Sequence, residues 1–215
     1  MSSAPAESSR RTWVKFCGCQ SWSDVSLAIE TGADAFGMIF APSPRRIDLD
    51  AAATIAKRLT GGIEPVAVFV NPASDEIDAV RAMFPTVRLQ LAGNESPEFA
   101  ERFGSRAIKV IHVDDAIDVE AACAPFRGAG ILFDTKVRDV AGGSGETFRW
   151  QRVAAVARSR PVIVAGGLTS ANVGDCVRAA RPWGVDVRGG IESGGRKSEE
   201  LMRAFIGAVR AADAA

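Results

Sequence analysis

The sequence contains one histidine, four cysteines and no tyrosine among its 215 residues. The single histidine, His112, cannot build a multi-histidine metal site. The cysteines of Cys17-Gly18-Cys19 are too closely spaced for the usual zinc-binding pair, and no second pair follows. A disulfide scaffold is typical of small secreted chains rather than of a chain of this size. We therefore expect neither a metal site nor a disulfide framework.

The chain also lacks an excess of charge of either sign and any long hydrophobic run. Its 26 basic and 26 acidic residues give a formal net charge of zero, whereas nucleic-acid binding needs a basic excess or face. No apolar run approaches the roughly 18 residues that cross a bilayer, and residues 1–12 have no apolar segment typical of a secretory signal. We expect a cytoplasmic chain with neither nucleic acid nor membrane as a partner.

Glycine is unevenly distributed along the chain. Fourteen of the 21 glycines lie at Gly128 or later. Because glycine has no side chain, loops that contain it let the backbone approach another group closely. The distribution predicts such loops in the second part of the chain.

Short apolar runs alternate with amphipathic stretches. Each run is β-branched or aromatic and is bounded by Gly, Pro or polar residues, which is typical of a buried strand. The eight predicted strands are 13–16, 35–40, 66–70, 87–91, 107–111, 131–133, 162–165 and 185–187. The helices predicted between them, most with a capping residue at the start, include one capped at Ser23-Asp24, then 51–59, 75–83, 97–103, 115–122, 148–157, 170–180 and 198–211.

Eight strands alternating with about eight helices fit two architectures, a closed (β/α)8 barrel and an open doubly wound sheet. No Gly-x-Gly-x-x-Gly follows the first strand, so the dinucleotide-binding version of the open sheet lacks its main motif. We predict a single (β/α)8 (TIM) barrel of eight parallel strands over residues 13–215. Residues 1–12 form a disordered N-terminal tail in this interpretation.

In a barrel, functional residues lie on the loops that follow the strands. Cys17 follows the first strand, where a thiol can act as nucleophile or base if its pKa falls; the alternative is a buried small hydrophobe. Asp134 ends the apolar run 131–133, where partial desolvation raises a carboxyl pKa toward use as a general acid. A helix cap, or a salt bridge to Lys136 or Arg138, is the alternative for Asp134.

Two further features predict anion binding. Arg45 and Arg46 follow a proline-rich loop after the second strand and either bind a carboxylate or phosphate or form a solvated basic pair. Gly166-Gly167 follows the seventh strand and Gly189-Gly190 the eighth, where barrels commonly bind phosphate on bare backbone N–H groups. The sequence therefore predicts a phosphorylated ligand.

A series of motifs in a fixed order spans nearly the whole chain after the tail. They are 14–18 (VKFCG), 31–37 (TGADAFG), 43–45 (SPR), 66–71 (VAVFVN), 89–91 (LQL), 134–136 (DTK), 142–148 (GGSGETF), 164–168 (VAGGL) and 184–187 (GVDV). In this combination the sequence resembles phosphoribosylanthranilate isomerase, an aldose–ketose isomerase of tryptophan biosynthesis. The resemblance implies a (β/α)8 barrel that performs an Amadori rearrangement of N-(5-phosphoribosyl)anthranilate.

The resemblance assigns the chemistry to Cys17 as general base and Asp134 as general acid. Asp134 would protonate the ribose ring oxygen and open the ring to a Schiff base. The Cys17 thiolate would then remove the C2′ proton, and the resulting enolamine would tautomerise to the ketone. No cofactor is implied, because the protonated imine is the electron sink.

The same resemblance implies the binding residues. Arg45 would face the anthranilate carboxylate, and Gln90, Asp186 and Arg188 would lie at the substrate. The phosphate would be held by backbone groups at Gly145, Gly166, Gly167, Gly189 and Gly190. We expect a small phosphorylated molecule as the partner and a monomeric chain, with a dimer as the alternative.

Two positions depart from the family pattern, and other functions stay open. Ala92 replaces the histidine of the usual Gln-Leu-His-Gly, and Arg188 stands where the family has a small hydroxyl residue. One alternative is a related sugar-phosphate barrel: indole-glycerol-phosphate synthase, for which Lys15 and Lys109 would be inward, or the histidine-pathway isomerase, which would have an aspartate at Cys17. Another is a barrel that binds phosphate without catalysis.

Overall fold

The structure, a computed structural model, describes residues 11–135 and 149–215. Within those ranges, eight strands alternate with helices along the chain, and a short hairpin precedes the last helix. The strands are β1 (Trp13–Cys17), β2 (Ala35–Ile39), β3 (Glu64–Phe69), β4 (Arg88–Leu91), β5 (Ala107–Val113), β6 (Gly130–Thr135), β7 (Val162–Val164) and β8 (Gly184–Val187), with the hairpin strands β9 (Glu192–Ser193) and β10 (Arg196–Lys197). The helices are α1 (Trp22–Thr31), α2 (Leu49–Arg58), α3 (Ser74–Met83), α4 (Pro97–Glu101), α5 (Val119–Cys123), α6 (Ala154–Ser159), α7 (Val173–Ala180) and α8 (Glu199–Asp213).

Strands β1 to β8 form a closed barrel in which every neighbouring pair is parallel. The first and last strands pair with each other, with Val14 opposite Val185 and Phe16 opposite Val187. This pairing closes the sheet, so the predicted (β/α)8 barrel is confirmed and the open sheet is excluded. The strands read as continuous apolar runs because each is covered by helices on one face and by the barrel interior on the other.

The barrel wall separates two apolar layers. The outer layer lies between strands and helices and contains most of the buried hydrophobic residues. The inner layer is small, as expected for the interior of an eight-stranded barrel. It consists of Ala35, Val66, Ile108, Val110, Leu132, Ile163 and Ala165. Trp13 and Trp183, whose ring centroids are 4.9 Å apart, pack against the inner layer.

Helix starts differ from the predictions where a nearer capping residue competes. The Ser21 hydroxyl, not Ser23 or Asp24, caps α1: it accepts from Asp24 N, and the Asp24 carboxylate accepts from Ser21 N. This reciprocal pair is a capping box, which satisfies two N-terminal donors at once. Asp48 caps α2 by accepting from Ala51 N, so this helix begins at Leu49, two residues before the predicted start.

Helices α5, α6 and α7 are shorter than predicted. A 3₁₀ turn over Trp150–Val153 replaces the first half of the helix predicted at 148–157. Before α7, Asn172 accepts from Thr169 N and donates to the Gly167 carbonyl, which keeps this segment in a turn until Val173. The loop after β7 is therefore longer than the sequence pattern indicates.

The predicted tail lies mostly outside the described residues. Its last two residues are attached to the barrel: Thr12 is buried and donates from its backbone N and Oγ1 to the Asp213 carboxylate, and Arg11 pairs with Asp34 at 2.9 Å. In the described ranges, no helix is both long and apolar enough to cross a membrane. The 15 residues of α8 correspond to about 22 Å at the α-helical rise.

Candidate active site

Alternation along the strands brings the predicted acid and base to the same mouth of the barrel. Val14 belongs to the outer layer, so its neighbours on β1, Lys15 and Cys17, point inward. Leu132 belongs to the inner layer, so Asp134 points inward from β6. Cys17 is the last residue of β1 and Asp134 the penultimate residue of β6, which places both at the carboxyl ends of their strands.

A buried polar cluster lies directly below this mouth. Lys15 has no exposed surface, and its Nζ donates to Gln90 Oε1 at 2.9 Å and lies 3.0 Å from Asp186 Oδ1. Burial alone lowers the pKa of Lys15, but the charges of Asp186 and Cys17 outweigh burial and raise it. Lys15 is therefore an ammonium ion inside the barrel. Lys15 thus holds together two predicted substrate-binding residues, Gln90 and Asp186. The sequence pattern assigns Lys15 itself no role in the isomerase reaction.

Cys17 combines an apolar and a charged environment. Its side chain packs with Ile39 and Val68 in a small apolar cluster, while Lys15 lies beside its sulfur. Burial raises the pKa of the Cys17 thiol, and the Lys15 ammonium opposes that rise. This environment therefore favours the thiol form of Cys17 over the thiolate.

Asp134 stands partly open to solvent at the mouth and opposite His112 in the strand register. Burial raises the pKa of Asp134, and the negative charge of Asp186 adds to the rise, while His112 and Arg188 oppose it. A carboxyl with a raised pKa keeps its proton further toward neutral pH, as a general acid requires. The alternative salt bridges, to Lys136 or Arg138, involve residues outside the described ranges.

Glycine at position 166 allows the loop after β7 to touch the catalytic mouth. Gly166 and Gly167 have φ of +85° and +63°. A Cβ on Gly166 would lie 2.5 Å from Thr135 N and 2.6 Å from Asp134 Oδ1. The loop can therefore lie against Asp134 only because no side chain is present at Gly166.

The loops after β7 and β8 are joined through Gly190. It forms a parallel bridge with Thr169, and a Cβ at this position would overlap the Leu168 carbonyl oxygen. Within the described ranges, nothing lies near the Cβ position of Gly189, the residue before Gly190. The structure thus brings four of the predicted phosphate-binding glycines onto adjacent loops. The fifth, Gly145, lies outside the described residues.

Gly18, with φ of +75°, separates two arginines. Its Cβ position would lie 3.3 Å from Arg45 Cβ and 3.4 Å from Arg188 Cγ. Arg188 is exposed at the end of β8. The two predicted substrate-binding arginines therefore meet at the end of β1, next to Cys17.

Arg45 is paired within the protein. Its Nε and Nη2 donate to the two Glu192 oxygens at 3.2 and 2.9 Å. Lys197 Nζ donates to Glu192 Oε1 at 2.9 Å and to the Cys17 carbonyl at 2.6 Å. Burial would raise the pKa of Glu192, but Arg45 and Lys197 hold it below its usual range. The β9–β10 hairpin is thus fastened to the end of β1 by the Lys197 ammonium and to the loop after β2 by the ionised Glu192 carboxylate.

Glu192 and Lys197 were missed as site residues. Their partners lie 147 and 180 residues earlier in the chain, so no local spacing marks them. The one local signal is the pair Gly194-Gly195, which allows a tight hairpin to carry charged residues on both arms.

Two cavities lie near the carboxyl ends of the strands. One of about 190 Å³ is lined by the hairpin and the loop after β1, including Gly18, Arg45, Glu192 and Lys197. A larger one of about 380 Å³ lies outside the mouth, between the loops after β2 and β3, and is lined by residues that include Phe40 and Phe69. The smaller cavity is the one that adjoins the end of β1, where Cys17 lies.

Lys109 does not face the mouth. Its Nζ lies 2.7 Å from Glu95 Oε2, and 5.8 Å from the ring centroid of Phe126, a residue of the outer layer. The synthase alternative expected both Lys15 and Lys109 inside the barrel. Only Lys15 is there.

Comparisons with known proteins identify the family to which the chain belongs. Residues 14–208 match the family model described as N-(5′-phosphoribosyl)anthranilate (PRA) isomerase. The chain is 41% identical over 199 residues to N-(5′-phosphoribosyl)anthranilate isomerase of Pseudomonas fluorescens (strain SBW25), covering 91% of this chain and 94% of the relative.

Solved structures give the same assignment. Monomers generated from the dimeric phosphoribosylanthranilate isomerase of Thermotoga maritima match with a TM-score of 0.81 and 30% identity, over 93% of this chain and 99% of theirs. A phosphoribosylanthranilate isomerase in complex with reduced 1-(o-carboxyphenylamino)-1-deoxyribulose 5-phosphate matches with a TM-score of 0.80 and 31% identity, over the same fractions. The family resemblance is confirmed: the chain belongs to the N-(5′-phosphoribosyl)anthranilate isomerase family.

Proposed function

We propose that this chain converts N-(5-phosphoribosyl)anthranilate into 1-(2-carboxyphenylamino)-1-deoxyribulose 5-phosphate, with Asp134 as general acid and Cys17 as general base. The observation that carries the proposal is that both side chains point inward at the same end of the barrel, from β6 and β1. An acid and a base on different strands of one mouth can act on two atoms of the same bound sugar.

Asp134 acts first. Its raised pKa, caused mainly by burial, extends toward neutral pH the range in which the carboxyl holds the proton that it donates to the ribose ring oxygen. The C1′–O bond then breaks, the oxygen keeps the proton as a hydroxyl group, and the anthranilate nitrogen supplies the electrons that form the protonated imine. Asp134 is left as a carboxylate, which the positive charge of Arg188 stabilises.

Cys17 acts second. Its thiolate removes the C2′ proton, and the C2′–H electrons move toward the imine to give the enolamine. Protonation at C1′ and loss of the enol proton complete the ketone. The iminium ion accepts the electron pair, so the chemistry requires only the two side chains and the substrate.

Binding energy from the ends of the substrate holds the sugar between the two groups. The backbone at Gly166, Gly167, Gly189 and Gly190 provides a cradle for the phosphate, to which Gly145 and Arg188 also belong in this proposal. Anchoring a remote phosphate supplies orientation at the reacting carbons.

The carboxylate end is assigned to Arg45. Glu192 accepts hydrogen bonds from Arg45 Nε and Nη2. These bonds fix the plane of the guanidinium before the substrate binds. The Gln90 carbonyl accepts from Lys15, which orients its amide nitrogen as a donor, and Asp186 lies in the same layer. Both are assigned to the sugar hydroxyls.

The test is the loss of substrate fluorescence on isomerisation, measured for Cys17→Ala and for Cys176→Ala. Cys176 is a fully buried cysteine on α7 in the outer layer, so it controls for loss of a buried thiol. We expect Cys17→Ala to abolish turnover while retaining affinity for a phosphate-bearing product analogue, and Cys176→Ala to turn over normally. Near-normal turnover by Cys17→Ala would refute the role assigned to the thiol.

We also propose a cytoplasmic, monomeric enzyme. The four cysteines are free, which fits a reducing compartment. Among the described residues, the exposed large hydrophobics are Ile29, Leu49 and Val70, and single exposed hydrophobics need no partner. Size-exclusion chromatography with light scattering tests the monomer against a dimer, the state named for the Thermotoga maritima enzyme.

A further inference from the structure

Lys15 is a buried charge that the acid–base scheme does not use. Among the described residues it is the lysine inside the barrel, and it has no exposed surface. Burying an ammonium ion costs several kcal/mol unless partners compensate it. Lys15 has three neighbouring groups: the Gln90 carbonyl, the Asp186 carboxylate and the Cys17 thiol.

Lys15 and Cys17 share one space beside β2. Gly37 stands opposite Cys17 in the register. Its Cβ position would lie 2.9 Å from Cys17 Sγ and 3.1 Å from Lys15 Nζ. The thiol and the ammonium ion can therefore be neighbours only because residue 37 has no side chain.

Asp186 makes this ammonium ion necessary. Asp186 Oδ1 lies 3.0 Å from Lys15 Nζ but outside hydrogen-bonding geometry. In the described part of the chain, this oxygen has no hydrogen-bond partner. The Asp186 charge acts on both Cys17 and Asp134, and it opposes ionisation of each. Without Lys15, the thiol would have to ionise next to an uncompensated carboxylate.

Other charges face Cys17 less directly. Lys197 contacts the Cys17 carbonyl rather than its sulfur and is shared with Glu192. Arg45 and Arg188 flank Gly18 at the rim. On the far side, Asp134 and His112 face each other across β5 and β6. Lys15 is the cation that stands between the thiol and Asp186.

We propose that Lys15 is the positioning residue that makes Cys17 usable as a base, by neutralising Asp186 and donating a hydrogen bond to the thiolate. The thiol loses its proton to water before turnover, and the thiolate then accepts the C2′ proton of the substrate. Lys15 stays protonated throughout. The kinetic part of this inference rests on the proposed function, whereas the ionisation of Cys17 can be measured without it.

The first experiment titrates Cys17 directly. Thiolate absorbance is recorded against pH for the full chain and for Lys15→Met, each as the difference from the same protein carrying Cys17→Ser. We expect the midpoint to rise by at least about one pH unit, a tenfold loss of thiolate at a given pH. An unchanged midpoint would overturn the proposal.

Lys109→Met is the matched control. Lys109 is also buried and paired with a carboxylate, but it lies in the outer layer. We expect its removal to destabilise the fold while leaving the Cys17 midpoint in place. An equal shift in Lys109→Met would mean that the titration reports loosening of the barrel, and would count against Lys15.

The second experiment separates positioning from structure by kinetics. We expect Lys15→Met to lower kcat about tenfold or more near neutral pH with KM changed less than about threefold, and the deficit to shrink as pH rises. A deficit that is the same at every pH would contradict the proposal. If the chain has no isomerase activity, the proposed function fails while the titration still tests Lys15.

Lys15→Met leaves Asp186 unpaired and so endangers folding. The double variant Lys15→Met/Asp186→Asn removes the ion pair as a unit, which is commonly tolerated. Its Cys17 midpoint is expected above that of the unmodified chain, because the donor to the thiolate is gone. A midpoint at or below the unmodified value would overturn the role of Lys15.

Discussion

The two buried lysines lie on opposite sides of the barrel wall and are satisfied to different degrees. Lys109, in the outer layer, bonds Glu95 and the Gly93 carbonyl, and Glu95 in turn accepts from Asn71 N and Gly93 N. Both side chains of this outer pair, Lys109 and Glu95, form hydrogen bonds with the turn after β4. Lys15, in the interior, has a carboxylate partner, Asp186, one of whose oxygens accepts no hydrogen bond from any described residue.

The difference indicates what each pair does. A fully hydrogen-bonded buried ion pair fixes structure, because each charge is already compensated. The Lys15–Asp186 pair at the mouth is incompletely hydrogen-bonded, so the Lys15 ammonium can still interact with a group that changes charge. In our proposal that group is the thiol of Cys17. Breaking the outer pair should therefore affect stability, and breaking the inner site should affect turnover.

After Cys17→Ala, the largest expected effect on turnover comes from Asp134→Asn. Removal of the general acid should lower kcat by about 10²- to 10⁴-fold, without loss of stability because the amide has the same shape and no charge. Steady-state kinetics and thermal unfolding measure both. Asp175→Asn, which changes an exposed residue of α7 paired with Arg178, is the control. An Asp134→Asn enzyme with normal kcat would remove Asp134 from the mechanism.

Glu95→Ala should give the largest loss of stability. It leaves Lys109 buried without its counter-ion, which costs about 3–5 kcal/mol, while kcat per folded molecule stays near normal. Denaturant unfolding measures the first and active-site-normalised kinetics the second. Glu98→Ala, at an exposed position on α4, should change neither. A large fall in kcat for folded Glu95→Ala would contradict the division between inner and outer pairs.

The pH dependence of stability should differ between the two carboxyls. The pKa of Glu95 is lowered, since its hydrogen bonds and Lys109 outweigh burial. Its ionisation therefore stabilises the fold, fully above the unfolded pKa of about 4.3, and this contribution is lost as pH falls through the folded pKa. The pKa of Asp134 is raised, mainly by burial. Its ionisation therefore destabilises the fold, beginning above the unfolded pKa of about 3.9.

Unfolding free energies measured across this pH range test the difference. We expect Glu95→Gln to weaken the acid-induced loss of stability, and Asp134→Asn to remove a decline that begins above the unfolded pKa. If Asp134→Asn leaves the slope unchanged, the Asp134 carboxyl is not held in its protonated form by burial.

The smallest effect is expected at the rim. Arg188 is exposed, so screening by salt limits its contribution. Arg188→Ser should weaken binding of a product analogue by about threefold at low salt, with the two affinities converging as salt is added. Calorimetric titration at two salt concentrations measures this. Unchanged affinity at low salt would place Arg188 outside the phosphate site.

Most of the fold could be predicted from the sequence, because parallel barrel strands are buried on both faces and appear as continuous apolar runs. All eight predicted strands exist. Their ends lie within one residue of the prediction, except that β3 begins two residues earlier and β5 and β6 end two residues later. Helix starts were less accessible: Ser21 and Ser23 are both good capping residues, and only the reciprocal bond with Asp24 decides between them.

The candidate site was accessible where its residues follow strands, as Cys17 and Asp134 do. The ion pairs around them were not. Arg45 was expected to face a ligand carboxylate, and the structure adds its pairing with Glu192, which depends on tertiary geometry. Lys15 was noticed only as an inward lysine, because nothing in VKFCG indicates that Asp186 will lie against its side chain.

The bond from Lys197 to the Cys17 carbonyl joins two segments that lie 180 residues apart in the sequence. The hairpin that carries Lys197 follows β8, the strand that closes the barrel onto β1. Opening the sheet between β1 and β8 would therefore separate the Cys17 end of β1 from the hairpin that holds it. Local opening at this seam would disturb the proposed reaction centre even while the other strands stayed paired.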